Sequence, residues 1–519
     1  MESLINFLKK NKNFVLLFSL YFFFTLINLT ALPIYNDESI YLDWGWLETH
    51  LSGHLFESLY DAKQPLLMWI FGIFGKFIQD PLIAGRLVSV IIGSATMIGI
   101  YLIAKRLFDK KTATLASAVF SITPIFIFYN KMALMEAAIA CIGIWSFKFL
   151  LDLIDHPRQK SSILLGLTLG LGFFIKSSSL LFISSTLMIL LFLIFFKKNF
   201  FLFKHLGIIL LTILAVDLLL LIEPLFWETF ASNSRYSLSP SEVLTLPVNL
   251  WLKNFLGFFE IGTLFMTPFV FLGSLIGIAL WIKKRNKKML AFLTYFIFAL
   301  ALEILSVKNQ SQRYIVAFLP FLVVPVSYSL TLLWERNRLF KLIPVAVLLF
   351  CFYFSIRLLL NPVFYIIDFS RISPVYSDTV YIYGPTAGFG VKDAADYLTE
   401  KAKKKFIIVG FALNAGNPES GVDVYLSYNK NVGNLHIDGK IIPNVNNYEC
   451  LSSKYPVYFV SRDEQLVGLE KFFQKETAFR NPYGNYSIGI YKLKSNCTGK
   501  TLSLLDFYQP SLEVLKEIK

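Results

Sequence analysis

The chain has 519 residues, of which 55% are apolar and 16% charged, with 52 phenylalanines and a mean hydropathy of +0.58. These values exclude a soluble enzyme, a disordered chain and a disulfide scaffold, since no soluble core hides this much apolar surface without large exposed patches. The net charge of +14 falls in small clusters between apolar runs rather than in one patch, so it points to membrane topology and not to nucleic acid.

A helix needs about 20 apolar residues to cross a bilayer. Runs of that kind lie near 14–33, 82–104, 112–130, 136–154, 162–175, 178–196, 205–222, 261–282, 289–306, 314–333 and 342–360, which predicts eleven transmembrane helices. No small-residue cleavage site follows the first run, so it reads as a retained span rather than a signal peptide. With the N-terminus inside, the inner loops carry 20 Lys and Arg and the outer loops nine, as the positive-inside rule requires. The expected product is an integral, multi-pass plasma (inner) membrane protein. Its long loops, 34–81 and 223–262, and everything after residue 360 then face outward.

The predicted domains are a polytopic part, 1–360, and an extracytoplasmic mixed α/β domain, 361–519. In the latter, Thr379–Tyr383, Phe406–Phe411, Tyr455–Val460 and Tyr486–Leu493 read as strands, and Lys392–Ala402 and Gly468–Phe473 as helices. Within the first outer loop, Leu66–Ile78 is apolar but too short to span upright and reads as an interfacial helix. Cys141 and Cys351 lie in apolar runs, Cys450 and Cys497 in the polar C-terminal part, and none has metal-ligand spacing. A disulfide between the last two is permitted outside the cell, but spacing alone does not set it.

The first outer loop begins Tyr35-Asn36-Asp37-Glu38, with two carboxylates where the chain leaves hydrocarbon. A carboxylate partly shielded from water is suited to general-base work. The plainer reading is that both cap the helix that follows, with Tyr41, Trp44 and Trp46 as interface anchors. Further on, Tyr60-Asp61-Ala62-Lys63-Gln64-Pro65 leads into the interfacial helix, where Lys63 could meet a lipid phosphate or simply snorkel. His50 and His54 stand at i, i+4, a zinc spacing, with no third strong ligand in place. Lys131 precedes Glu136 by five residues, so an ordinary interfacial ion pair is one role for that carboxylate.

Taken together these pieces are more specific. The acidic pair after the first span, Lys63-Gln64-Pro65-Leu66, Arg86 and Tyr101–Phe108, Met132–Glu136, Gly170–Lys176, and Gln312-Arg313-Tyr314-Ile315 through Pro320 resemble the membrane-embedded GT-C glycosyltransferases. The likeness is to the family 39 and family 83 type, which includes protein O-mannosyltransferases and the lipid A aminoarabinose transferase. It covers roughly residues 10–335.

The resemblance implies a mostly α, GT-C membrane fold and an inverting transfer of a sugar from a polyprenyl or dolichyl phosphate. The acceptor would be a lipid, glycan or protein at the outer face, and no cofactor, metal or nucleic acid is implied. Asp37 matches the family's catalytic acid, Glu136 its second acidic motif, Lys63 the lysine on the donor phosphate and Arg313 an arginine near the same group. Glu38, Tyr60, Asp61, Arg86, Lys131, Lys176 and Tyr314 complete the expected substrate-binding set. The chain departs from the family at Gln64, where a second proline is common, at Ala62, where an acid is common, and at Glu136, where Asp is usual. The competing readings are a transferase using a lipid-diphosphate oligosaccharide and a non-catalytic transporter or envelope assembly protein. A transporter should hold ionisable residues deep in several spans; Asp217 and Glu303 are the few candidates.

Overall fold

The structure is a computed structural model; it describes residues 12–230, 235–373, 379–412, 416–437, 455–462 and 473–494. Two compact units make up the chain. The first comprises Met1–Leu29, Ser58–Leu67 and Arg86–Pro362, the second Thr30–Glu57, Met68–Gly85 and Val363–Lys519.

Among the described residues, six helices are long and apolar enough to cross a membrane: Pro81–Leu107, Glu136–Asp155, Ser177–Phe195, Leu202–Leu221, Lys287–Ser306 and Leu342–Leu360. The expected count of eleven is therefore not reproduced, and the remaining runs show why. The first described helix ends at Leu26 instead of continuing to residue 33, because Asn28 takes the left-handed conformation (φ 51°) and donates its side-chain amide to Leu359 O at 2.8 Å. The 112–130 run divides into Lys110–Ile122 and Pro124–Tyr129, since the residue before a proline is driven out of the helical region. The same break at Thr267–Pro268 separates Val248–Phe265 from Pro268–Lys284.

Gln159–Ile175 is short, but its glycines let it lie against Leu202–Leu221. A Cβ on Gly166 would come within 2.6 Å of Thr212 Cβ, and one on Gly170 within 2.9 Å of Val216 Cβ. Small residues of this kind are how membrane helices approach closely. The helix ends at Ile175, which fixes the place of Lys176, its C-cap.

In the second unit five strands form one sheet in the order β2-β1-β3-β5-β4: β1 Ile407–Ala412, β2 Val432–Ile437, β3 Val457–Arg462, β4 Phe473–Arg480 and β5 Ser487–Leu493. β1 runs parallel to both β2 and β3, while β5 is antiparallel to β3 and β4. Helix Val391–Ala402 buries Val391, Ala394, Ala395, Leu398 and Ala402, an amphipathic stripe. Helix Glu419–Leu426 supplies the crossover from β1 to β2 that a parallel pair requires.

Thr379–Tyr383 is not a strand. Thr379 O accepts from the backbone N–H groups of Ile382 and Tyr383, at 2.9 and 2.8 Å, and the segment closes into a 3-10 turn before Gly384-Pro385. Of Gly468–Phe473, residues 468–472 lie outside the described residues, and Phe473 opens β4. Cys450 and Cys497 also lie outside them.

This unit includes the first-loop helix Asn36–His50, which crosses Leu66–Gly75 at paired glycines. A Cβ on Gly72 would meet Gly45 O at 1.9 Å, and one on Gly45 would meet Met68 O at 2.6 Å.

Candidate active site

In the first unit, Glu136 opens helix Glu136–Asp155, where a carboxylate complements the helix dipole. It is 2% exposed. Its Oε1 accepts from Arg313 Nε at 3.2 Å and Lys176 Nζ at 3.3 Å, while its Oε2 is buried without a hydrogen-bond partner. Three separate elements thus deliver the cluster: the start of one span, the C-cap of Gln159–Ile175 and the short helix Gln312–Val316. Glu303 and Tyr314 line the same recess. Lys176 Nζ sits 5.9 Å from the centroid of the Tyr314 ring. Glu303 had stood in the sequence only as an ionisable residue inside a span; its place beside Glu136, Arg313 and Lys176 comes from packing. No sequence signal joins it to them.

Lys63 extends from a 3-10 turn, Glu57–Asp61, which ends with Ala62 in the left-handed conformation (φ 57°). Its Nζ lies 4.9 Å from the centroid of the Tyr236 ring. The neighbouring Gln64, where the family pattern has a second proline, accepts from Ser177 N at 3.2 Å through Oε1 and is 2% exposed. One hydrogen bond thereby joins the residue after Lys63 to the residue after Lys176.

Asp61 pairs with Arg235 at 2.6 Å, an ion pair that raises the arginine's pKa. Tyr60 is 71% exposed. Arg86 Nη1 donates to Leu29 O at 2.7 Å and Lys131 Nζ to Ile27 O, two carbonyls just past the end of the first helix. Burial, with Arg86 adding repulsion, brings the Lys131 ammonium down to about 7. The Lys131–Glu136 pairing that spacing allowed gives way to the pairs with Arg313 and Lys176.

Asp37 and Glu38 belong to the second unit. Glu38 is fully buried, and its Oε2 accepts from Tyr35 N at 3.0 Å, the reciprocal half of a capping box. Asp37, half-buried one residue earlier, has Asn36 Nδ2 at 3.4 Å from its Oδ1. His54 Nδ1 contacts Glu57 Oε2 at 2.9 Å, and His50 Nδ1 contacts Trp46 O at 3.0 Å, so the two histidines face different partners. Among the described residues no group of three or more His, Cys, Asp or Glu is placed to hold a metal ion.

Residues 62–227 match the family model of dolichyl-phosphate-mannose-protein mannosyltransferases. ArnT from Cupriavidus metallidurans in the apo state superposes with a TM-score of 0.60 at 13% identity, over 94% of this chain and 99% of that one. The likeness to the GT-C glycosyltransferases is thereby shown. The same ArnT bound to undecaprenyl phosphate gives a TM-score of 0.56 at 12% identity, over 94% and 98% of the two chains. The Archaeoglobus fulgidus oligosaccharyltransferase in complex with zinc and sulfate gives 0.53 at 13% identity, over 92% of this chain and 72% of that one. At such identities these GT-C structures establish the fold. No curated protein matches the chain in sequence.

The second unit also holds a buried acid that the GT-C motifs do not include. Glu419 is 2% exposed, and burial pushes its carboxyl up to about 7, against the opposing pull of its own backbone N–H and of Arg462 at 3.9 Å. A carboxyl raised above its ordinary 4.5 stabilises the fold fully below that value, and the contribution is lost as pH rises through about 7. Thermal unfolding of the second unit should therefore move to lower temperature between pH 5 and 8. Glu419→Gln should flatten that dependence; an unchanged slope in the variant would show that Glu419 does not cause it.

Proposed function

We propose that the protein is an inverting glycosyltransferase that moves a sugar from a polyprenyl-phosphate-linked donor to a lipid, glycan or protein acceptor at the outer membrane face. The observation that carries this reading is the convergence of Arg313 and Lys176 on one oxygen of buried Glu136, with Lys63 tied to that region through Gln64. Such fixed cations suit a phosphate leaving group, because charge developing on it is met without reorganisation. ArnT, whose fold the chain shares, is a protein seen with undecaprenyl phosphate, which supports the same donor class here.

In this reading Asp37 takes the proton of the acceptor hydroxyl while that oxygen attacks the anomeric carbon. The bond from that carbon to the phosphate oxygen breaks with inversion, and the polyprenyl phosphate departs with the electron pair. Lys63 and Arg313 hold the phosphate. Glu136 orients Arg313 and Lys176, and its unpartnered Oε2 is available to a sugar hydroxyl. Tyr314 walls the recess. Arg86 and Lys131 keep the first helix in place. No metal or other cofactor enters this scheme.

Full-length protein in nanodiscs should release polyprenyl phosphate from lipid-linked sugars, dolichyl-phosphate-mannose among those tried, and should do so in EDTA. Transfer from a nucleotide-sugar instead, or an absolute need for manganese, would overturn the mechanism. Absence of turnover with any lipid-phosphate sugar would favour the assembly-protein alternative.

A further inference from the structure

The backbone just before Asp37 is held by residues from the other end of the second unit. Asn36 Oδ1 accepts from Asn417 N at 2.9 Å, and Asn417 Nδ2 donates back to Ile34 O at 2.9 Å and to Thr386 O at 3.4 Å. Asn417 is fully buried and is itself fixed, since its carbonyl accepts from Arg462 Nη2 at 2.6 Å.

Two glycines allow the approach. Gly388 (φ 74°) and Gly416 (φ 113°) hold conformations that side chains disfavour. A Cβ on Gly388 would fall 1.8 Å from Ile34 O, and one on Gly416 would fall 2.2 Å from Asn36 Oδ1. Between these hydrogen bonds the Tyr35 ring packs on Tyr381, with centroids 4.3 Å apart.

The arrangement has more specificity than general packing needs. Asn417 reads both a side chain and a main-chain carbonyl on either side of Tyr35, and it does so at the entry to helix Asn36–His50, whose second residue is Asp37. Catalytic groups must be held to within about 0.5 Å of their productive place, and a misplacement of about 1 Å costs roughly a hundredfold in rate.

We propose that Asn417 is a positioning residue for sugar transfer: through Ile34 and Asn36 it fixes where Asp37 stands. This rests on the general-base role proposed above for Asp37. Asn417 touches neither donor nor acceptor and acts only by holding that segment.

The test uses full-length protein in nanodiscs and reads two quantities, transfer kinetics with the lipid-linked donor it turns over and amide hydrogen exchange. Asn417→Ala should lower kcat about tenfold or more while changing the donor KM less than about threefold. It should speed exchange in residues 35–40 and leave β1, β3 and β5 protected. Asn36→Ala, which removes the acceptor of Asn417 N, should reproduce both effects.

Unchanged kcat in a folded Asn417→Ala protein would overturn the proposal. So would a loss of kcat accompanied by opening of the strands, because that outcome marks a merely structural residue. Full activity in Asp37→Asn would instead defeat the reading of Asp37. In that event, exchange at residues 35–40 in Asn417→Ala would still report whether the hold exists.

Discussion

Asp37→Asn should slow sugar transfer by at least about two orders of magnitude, the range expected when a positioned general base is lost. The change is nearly isosteric at a half-buried position. What it removes from the fold is a favourable charge in the first turn of helix Asn36–His50, worth about 0.3–1 kcal/mol. The variant should therefore insert, remain folded and bind donor with little change. Donor affinity and kcat measured together separate the possibilities. Near-normal transfer by the purified variant would reduce Asp37 to a helix-terminal charge and remove the centre of the mechanism.

Glu136→Gln should be the second most damaging acidic change, and it should also cost stability. With the carboxylate gone, Arg313 and Lys176 face a neutral amide from partly buried positions, their side chains 18% and 22% exposed. Removing one member of a buried pair costs about 3–5 kcal/mol, and the residual exposure of the cations places this case at the lower end. Arg313→Gln combined with Glu136→Gln should recover part of the lost thermal stability, since the uncompensated charge is smaller, yet recover no transfer. Arg313→Ala alone should weaken donor use about 10- to 150-fold, corresponding to about 1.5–3 kcal/mol for a charge-assisted hydrogen bond to the phosphate. Stability that fails to return in the double variant would show that the two residues do not act as a pair.

The parts of the fold that were legible in the sequence are those set by local pattern. Apolar runs found the long helices, and β1, β3 and β5 stood out as short β-branched and aromatic stretches. Glu136, Arg313 and Lys176 were each marked by the family resemblance. That they share one carboxylate oxygen was not readable, since 177 residues separate Glu136 from Arg313.

The misses have physical causes. The breaks at Asn28 and before Pro268 interrupt sequence that stays apolar, so hydropathy runs through them. Glu38, in the expected substrate-binding set, also accepts from Tyr35 N, a contact that sequence alone does not announce. Gln64 looked like a defect in a motif, yet its side-chain oxygen takes up the Ser177 N–H. Asn417 has no signal at all, because an asparagine beside a proline in a polar stretch is an ordinary turn residue.

The hold on Asn36 also dictates when in its life the molecule is complete. Asn36 and Asn417 are 381 residues apart, and Arg462, which fixes Asn417, is made later still. At translation rates of about 5–20 residues per second, the residues before Asp37 wait roughly 20–80 s for the amide that secures them. For that interval the entry to helix Asn36–His50 lacks the hydrogen bonds that Asn417 makes to Ile34 and Asn36. A nascent chain arrested before residue 417 would lack the hold on Ile34 and Asn36, and on the proposed reading its transfer would be slowed as in Asn417→Ala.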